Sequence, residues 1–365
     1  MIKSWFKTWL TKYLCTEHQN MHMSLTQNKD EVFTVDFYNN YCSLIASGAK
    51  LKLVEAMFNL NLFALFEHNK CVSEQAIIEK LGLMPNRAKK WLYLLSDAHF
   101  LIKVEIDNQP AYQLTNGFIK LRHSEQWSSM QFFFNTWHVA ADENLTDVLR
   151  YGKVKTSVSW PPKTDVEVKW LEDWMTETAD LPIHSLLKEI NFKKVTSFLD
   201  VGGGDATMAC ALVTAHPHLK AAVYNLPKSA QLARNNIASK KLSDKVLVIE
   251  GDFISDNLFP KGFDLILFTR VFFDWDESIN RKLLKMAYQA LPQHGLVSIC
   301  EFYKEENRDR CLSSEYRYIF HDDFAPHVMK TAAEYLTMLE ETGFTMLSVQ
   351  KQSPSSLCTV LLARK

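Results

Sequence analysis

The segment that most constrains the fold is Phe198–Asp205, in which a short apolar run leads into a carboxylate and three consecutive glycines. From Ala206 to about Ala215, the apolar residues recur at helical spacing. This order of strand, tight turn and helix is typical of the first unit of a doubly wound α/β sheet. Glycine lets the backbone turn sharply and lets a ligand approach the main chain without a Cβ in the way.

The glycine turn also predicts a site for a negatively charged group, because free N–H groups of the turn and of the helix N-terminus converge there. Many nucleotide-binding folds use such a turn, so the signal alone is weak. No Gly-Lys-Ser/Thr sequence follows, which argues against a phosphate-binding P-loop. A plain turn without a ligand is the alternative, but three of the 11 glycines of the chain in one place argue against it.

The length of 365 residues and the composition indicate a globular chain of two domains. The net charge of −1 gives no electrostatic reason to expect nucleic acid as the main partner. The seven cysteines are scattered and include no Cys-x-x-Cys, which fits reduced thiols in a cytoplasmic protein. No apolar run approaches the roughly 18 residues of a membrane span.

Residues 1–30 are predicted to be an appendage. Between Trp5 and Leu14 apolar residues recur at helical spacing, with lysines among them. We favour a short helix packed on the domain or on a partner subunit. The alternative is a basic amphipathic helix that rests on a membrane through residues 1–15. A signal peptide fits less well, because the lysines interrupt the apolar region.

Residues 31–185 are predicted to form a mainly helical domain. A long helical pattern runs from Phe33 to about Leu65 and is broken near residues 59–61. Ser73 is suited to cap a short helix, and Pro85 to open the next one.

The runs Phe100–Ile106 and Ala111–Leu114 alternate enough to form a two-stranded wing, which completes a winged-helix pattern. Arg87, Lys89 and Lys90 form only a small basic patch in a neutral chain, so dimerisation or substrate capping is favoured over DNA binding. The aromatic-rich residues 118–190 are predicted to be helical, with aromatic side chains that serve the core or line a large flat pocket.

From residue 186 to residue 365 strands and helices alternate in βαβ units, which predicts a parallel sheet. The pattern indicates seven strands with a closing hairpin, at residues 197–201, 220–224, 246–250, 263–268, 296–302, 346–350 and 357–363.

Residues suited to bind a cofactor follow successive strands, and ligands bind at the carboxyl ends of strands in open α/β sheets. Asn225 stands where a carboxylate would best accept two ribose hydroxyls, although an amide still accepts from one. Asp252 can accept from an adenine amino group, and Phe253 can cover the ring. Arg270 follows the fourth strand. Each residue alone also fits a turn or a core, but their shared position at strand ends favours a site.

These segments resemble the class of S-adenosylmethionine-dependent methyltransferases that contains the caffeate and hydroxyindole O-methyltransferases. Order and spacing hold over roughly residues 190–365. The segments that match are Leu199–Gly204, Asn225–Pro227, Gly251–Phe253, Arg270–Trp275, Ala290–Pro292, Gly295 and Glu301.

The resemblance implies an α/β fold with a seven-stranded Rossmann-like methyltransferase sheet, preceded by a winged-helix dimerisation domain. It also implies a homodimer and a small-molecule acceptor. The cofactor would be S-adenosylmethionine, held by Gly202, Gly204, Asn225, Asp252, Phe253 and Arg270.

One departure from the family pattern affects the chemistry. Members usually carry His-Asp-Trp after the fourth strand, and this His removes the phenol proton. Here the position is Phe273, followed by Asp274 and Trp275. Because a phenyl ring cannot accept a proton, we expect these three residues to shape the acceptor pocket.

Two residues remain as catalytic candidates. Glu301 matches an acidic residue that assists the base in plant members, and His321 lies in a segment expected to face the substrate cleft. His321, Asp322, Asp323 and His327 can also bind a metal, but a solvated acidic loop is the favoured interpretation.

The sequence therefore predicts methyl transfer to a bulky aromatic or conjugated small molecule. The Trp160–Pro162 region, Asn225–Pro227 and Phe273 are similar to the bacteriochlorophyllide C-methyltransferases, in which a ring carbon accepts the methyl group. One alternative is an enzyme of the same fold that binds S-adenosylmethionine but catalyses hydroxylation, decarboxylation or ring closure. Another is an inactive partner subunit. The choice between O-, C- and N-methylation stays open.

Overall fold

The computed structural model describes residues 37–124, 127, 131, 134, 144–152, 162–304, 312, 315–316, 319, 329–350 and 358–365. The chain divides into two compact units, residues 1–53 and 54–365. The predicted appendage of residues 1–30 lies outside the described residues, and so do His321, Asp322, Asp323 and His327. The predicted domain boundaries after residues 30 and 185 stay predictions.

A long helix, α1 (Phe37–Asn59), begins in the first unit and ends in the second. Asn61 follows it with φ of 52°, in the left-handed region, and a 3₁₀ turn then spans Leu62–Phe66. This break confirms the interruption predicted near residues 59–61. Leu62, Phe63 and Phe66 are buried.

Two short helices and a small antiparallel sheet follow, in the order predicted for a winged helix. The Ser73 hydroxyl caps the first helix by accepting from the N–H of Ala76 at 3.2 Å. Asp107 and Asn108 both have positive φ at the tip of the wing, as a tight hairpin requires. The elements are α2 (Glu74–Lys80), α3 (Pro85–Asp97), β1 (Val72–Ser73), β2 (Leu101–Ile106) and β3 (Gln109–Leu114), with strand order β1-β3-β2.

Four helices connect this module to the large sheet within the described residues. The third of these helices, Asp165–Glu177, covers the glycine turn, and a reciprocal capping box between Thr164 and Glu167 fixes its first residue. The helices are α4 (Asn116–Arg122), α5 (Leu145–Tyr151), α6 (Asp165–Glu177) and α7 (Asp180–Glu189).

The large sheet has seven strands and confirms the predicted fold class. Its order is β6-β5-β4-β7-β8-β10-β9, in which β10 is antiparallel to both of its neighbours and the other pairs are parallel. The strands are β4 (Ser197–Val201), β5 (Lys220–Asn225), β6 (Val246–Glu250), β7 (Leu265–Thr269), β8 (Leu296–Glu301), β9 (Thr345–Val349) and β10 (Thr359–Arg364).

Helices cover both faces of this sheet, so its central strands are buried on both sides. In β4, Phe198 joins the core on one face, while Leu199 and Val201 join the core on the other. The covering helices include α8 (Thr207–Ala215), α9 (Pro227–Ser239), α10 (Glu277–Ala290) and α11 (Ala332–Thr342). Among the described residues, every helix is too short or too polar to cross a membrane.

The sheet order also fixes where a ligand can bind. The chain builds outward from β4 to β6 and then returns to place β7 on the other side of β4. Open α/β sheets bind their ligands at such a switch point, outside the carboxyl ends of the two strands.

Candidate active site

The glycine turn after β4 has the backbone geometry that only glycine adopts easily. Gly202 and Gly204 have φ of 68° and 57°, in the left-handed region. The N–H of Gly202 donates to the carbonyl of Tyr224 at 2.9 Å, which ties the turn to the end of β5. A Cβ at Gly203 would collide with the Asp200 carboxylate and with Val223. The turn is therefore pressed against its own strand.

Asp200 lies directly beneath this turn. Its side chain is fully buried, and neither carboxylate oxygen has a hydrogen-bond partner. Burial raises the pKa of Asp200 from 3.8 to about 8, although the positive charge of Arg270 opposes the shift. The carboxyl group is therefore largely neutral near pH 7.

The glycine turn is covered by α6, through Glu172 and Thr176. Glu172 is 6% exposed, and its Oε2 lies 2.5 Å from where a Cβ at Gly204 would stand. Burial raises the pKa of Glu172 to about 7. The hydroxyl of Thr176 donates to Asp205 at 3.0 Å. The sequence motifs do not reveal Glu172, because it lies on a helix about 30 residues before the turn that it contacts.

Arg270 is placed at the site but is engaged with the protein. Its guanidinium group donates to the Thr178 hydroxyl and, at 2.9 Å, to the carbonyl of Met175. The same group lies 5.6 Å from the centre of the Trp174 ring. These contacts hold the end of α6 over the sheet. The structure thus gives the predicted cofactor ligand a positioning role in addition to a place in the cavity wall.

A cavity opens at the switch point between β4 and β7. The glycine turn, α6 and the end of β7 form its walls, so the structure brings Gly202, Gly204 and Arg270 together as predicted. Its lining includes Glu172, Met175, Gly202, Gly203, Gly204, Asp205, Met208, Thr269 and Arg270.

Asn225 is buried at the end of β5 and contacts the glycine turn. Its Nδ2 donates to the carbonyl of Gly204 at 2.6 Å. At the end of the next strand, Oδ1 of Asp252 accepts from the N–H of Ile254 at 2.9 Å. The ring of Phe253 packs edge-on against Trp275, with centroids 5.6 Å apart. These three residues therefore line successive strand ends, and their roles toward a cofactor stay predictions.

A 3₁₀ turn, Phe272–Asp274, follows β7 and carries the residue that replaces the usual histidine. Phe273 is 4% exposed and packs edge-on against Phe302, with ring centroids 6.4 Å apart. Asp274 is also buried, and Trp275 is half-buried. The three predicted pocket residues thus share one compact turn beside the end of β7.

Glu301 supports this turn from β8. Its Oε1 accepts from the N–H of Val271 at 2.9 Å and from the N–H of Phe272, and its Oε2 accepts from the Tyr335 hydroxyl at 2.8 Å. The side chain is fully buried, which raises its pKa to about 7. Both oxygens are occupied by the protein, so this geometry favours a positioning role over the predicted proton transfer.

Lys330 holds the same turn from its other end. Its Nζ donates to the carbonyl of Trp275 at 2.8 Å and lies 3.5 Å from the carbonyl of Phe272. Only 7% of the residue is exposed, and burial lowers the pKa of Lys330. Sequence reasoning missed this residue, because a lysine beside a helix cap usually lies at the surface. Among the described residues, no group of three metal-ligating side chains forms a metal site.

Comparison with known proteins identifies the family. The O-methyltransferase domain matches residues 157–345, which is more than half of the chain. The chain belongs to this O-methyltransferase family. This assignment confirms the resemblance to S-adenosylmethionine-dependent methyltransferases that the sequence motifs implied.

Similar proteins transfer methyl groups to carbon as well as to oxygen. The L-tyrosine C(3)-methyltransferase of Streptomyces lavendulae is 27% identical over 73% of this chain and 75% of its own. The bacteriochlorophyllide d C-20 methyltransferase of Chlorobaculum tepidum is 26% identical over 52% of this chain and 56% of its own. The S-adenosylmethionine-dependent methyltransferase SibL shares the fold, with a TM-score of 0.76 and 21% identity over 88% of this chain and 97% of its own.

The residues at the switch point fit the family's cofactor, S-adenosylmethionine. Gly202 and Gly204 line the cavity with left-handed backbone, where a side chain would be strained and would crowd Val271 or Glu172. Glu172, one of whose oxygens has no hydrogen-bond partner, lines the same cavity. A ligand with both anionic and cationic groups matches backbone N–H donors next to a carboxylate.

Proposed function

We propose that the chain transfers a methyl group from S-adenosylmethionine to a carbon or oxygen atom of a bulky aromatic or conjugated small molecule. The observation that carries the proposal is the glycine turn at the switch point, with the Phe273 turn at the next strand end. S-adenosylmethionine supplies an electrophilic methyl group on a positively charged sulfur. The protein then contributes mainly by holding the acceptor atom in line with it.

The cofactor site divides between binding and positioning residues. Gly204 would present its backbone N–H to the carboxylate of the cofactor, and Gly202, whose own N–H donates to Tyr224, would shape the left-handed turn that the ligand approaches. Asn225 would meet the ribose, and Asp252 and Phe253 would meet the adenine. Arg270 would act through α6, because its guanidinium group is engaged with Thr178 and Met175.

The acceptor site would be formed by Phe273, Asp274 and Trp275. No proton acceptor stands at position 273, so a phenol cannot lose its proton there. A ring carbon that attacks the methyl group needs no such base at a hydroxyl. Two relatives, the L-tyrosine C(3)-methyltransferase and the bacteriochlorophyllide d C-20 methyltransferase, methylate carbon, which supports carbon as the acceptor atom.

We also propose that the chain forms a homodimer. Its α1 helix exposes apolar side chains, and Leu44 and Ile45 are 73% and 56% exposed. Exposed apolar patches on soluble proteins often mark surfaces that bind another protein. Light scattering coupled to gel filtration would measure the mass in solution, and a monomer at micromolar concentration would contradict the proposal.

The function is tested in two steps on the full chain. Calorimetric titration with S-adenosylmethionine and S-adenosylhomocysteine should show binding of both. Incubation with a panel of aromatic acceptors should then give a product heavier by one methyl group, with formation of S-adenosylhomocysteine. A converted acceptor without added methyl would favour the non-methylating alternative. No binding of either ligand would favour a partner subunit.

A further inference from the structure

Glu172 is a buried carboxylate that forms no ion pair among the described residues. It projects from α6 onto the glycine turn, where its Oε2 has no hydrogen-bond partner. A buried carboxylate without a partner is costly unless a ligand or counter-charge completes it. The side chain also lines the cavity at the switch point, so a ligand there can reach it.

The charged groups that face Glu172 are already committed or are of the same sign. The Arg270 guanidinium donates to Thr178 and Met175. The carboxylate of Asp205 accepts from Thr176 and from the N–H of Thr207. Asp200, beneath the turn, is largely neutral near pH 7. Ser229 on α9 and the N–H of Asp205 bring uncharged hydrogen-bond donors only. Among the described residues, no ion pair includes Glu172.

We propose that Glu172 binds the α-ammonium group of S-adenosylmethionine and so selects the amino-acid end of the cofactor. The inference rests on the proposed function and deepens it. In an α-amino acid the ammonium and carboxylate groups are attached to one carbon. If the carboxylate meets the N–H groups of the glycine turn, the ammonium stands beside the turn, where Oε2 of Glu172 lies. An ammonium group has three donors and no acceptor, so a carboxylate complements it.

The pH dependence of binding follows from the same contact. Burial and the charge of Asp205 favour protonated Glu172, whereas hydrogen bonds from Ser229 and from the N–H of Asp205, together with the charge of Arg270, favour the ionised form, and the pKa is about 7. Since an ammonium group prefers the ionised carboxylate, affinity for S-adenosylhomocysteine should rise as the pH increases through 7. In Glu172→Gln this rise should be lost.

The decisive experiment compares two ligands that differ only in the ammonium group. S-adenosylhomocysteine and its deaminated analogue, which keeps the carboxylate, are titrated into the full chain by calorimetry at pH 8. The wild type should bind S-adenosylhomocysteine about tenfold more tightly, as expected for one charge-assisted hydrogen bond. Glu172→Gln should bind both ligands with similar affinity, and Glu172→Asp should keep part of the preference.

Glu177→Gln serves as the matched control, because Glu177 is an exposed carboxylate on the same helix. It should keep the wild-type preference. A Glu172→Gln protein that still prefers the ammonium ligand would overturn the inference alone. The inference would also be overturned if Glu172→Gln bound both ligands more tightly than the wild type does. That result would mean that Glu172 competes with the ligand's carboxylate for the N–H groups of the turn. A wild type that binds neither ligand would overturn the proposed function together with the inference.

Discussion

The side-chain amide of Asn225 donates a 2.6 Å hydrogen bond to the backbone carbonyl of Gly204. Asn225, which we expect to bind the ribose, therefore also stabilises the glycine turn. A carboxylate, the better ribose ligand, cannot donate this bond. We expect Asn225→Asp to lower the affinity for S-adenosylhomocysteine by about tenfold, because the half-buried carbonyl of Gly204 loses its donor. Calorimetric titration at neutral pH measures the change.

Asn235→Asp is the control for this prediction. Asn235 is exposed on α9 and uses its Oδ1 as an acceptor from Gln231, which an aspartate retains. It should leave the affinity unchanged. If Asn225→Asp instead binds more tightly, the acceptor oxygen at position 225 matters more than the bond to Gly204.

Arg270→Lys should destabilise the protein and weaken cofactor binding. A lysine can replace at most part of the contacts to Thr178 and Met175, and it loses the planar group over Trp174. Each hydrogen bond to a charged group contributes about 1.5–3 kcal/mol, so the melting temperature should fall by several degrees.

Arg234→Lys is the matched control at the surface. Arg234 pairs with Glu250 in an exposed ion pair, which contributes at most about 1 kcal/mol. Differential scanning fluorimetry compares the two variants. Equal and small losses of melting temperature would show that the contacts of Arg270 to α6 are not important for stability.

Glu301→Gln should retain most methyl transfer, whereas Glu301→Ala should lose it. A glutamine oxygen can still accept from the N–H groups of Val271 and Phe272, and its amide can donate to Tyr335. Alanine leaves all three donors unpaired, which costs several kcal/mol in total. The initial rate with the best acceptor from the screen measures both variants. If Glu301→Gln is as inactive as Glu301→Ala, Glu301 takes part in proton transfer after all.

Asp200 should make the protein less stable as the pH rises. Its pKa is raised on folding, so the folded state binds more protons. The contribution of Asp200 to stability is complete below pH 3.8 and is lost as the pH rises through about 8. Glu172 and Glu301 act in the same direction up to about pH 7. Asp200→Asn should therefore raise the melting temperature at pH 9 by a few degrees, with little change at pH 5.

An exposed aspartate provides the comparison for this pH series. Asp244→Asn should shift the melting temperature equally little at both pH values. If Asp200→Asn lowers the melting temperature at pH 9, the ionised carboxylate must have a partner that stabilises it.

The fold was predictable because its signals are local. The apolar run at 197–201, the helix cap at Ser73 and the break near residue 60 all agree with the structure. The strand predicted at 263–268 lies at Leu265–Thr269. Just before it, the Asp264 carboxylate accepts from the N–H groups of Thr196 and Ser197, a contact between distant segments that a local pattern does not reveal.

The candidate site was predictable only where its residues follow strands. Gly202 and Gly204 belong to one motif, whereas Glu172 reaches the site from α6 and Lys330 from the segment just before α11. Nothing in their sequence context distinguishes them from surface charges, because tertiary packing alone buries them. The engagement of Arg270 with α6 likewise depends on how that helix packs.

Glu301 and Lys330 hold the turn at Phe273 through its main chain. Glu301 accepts from the N–H groups of Val271 and Phe272, and Lys330 lies against the carbonyls of Phe272 and Trp275, so none of these bonds uses the side chain of residue 273. These bonds can therefore form whichever side chain stands at this position. If position 273 faces the acceptor, as we propose, a single codon change exchanges a proton acceptor for an aromatic ring while the bonds to the main chain stay the same.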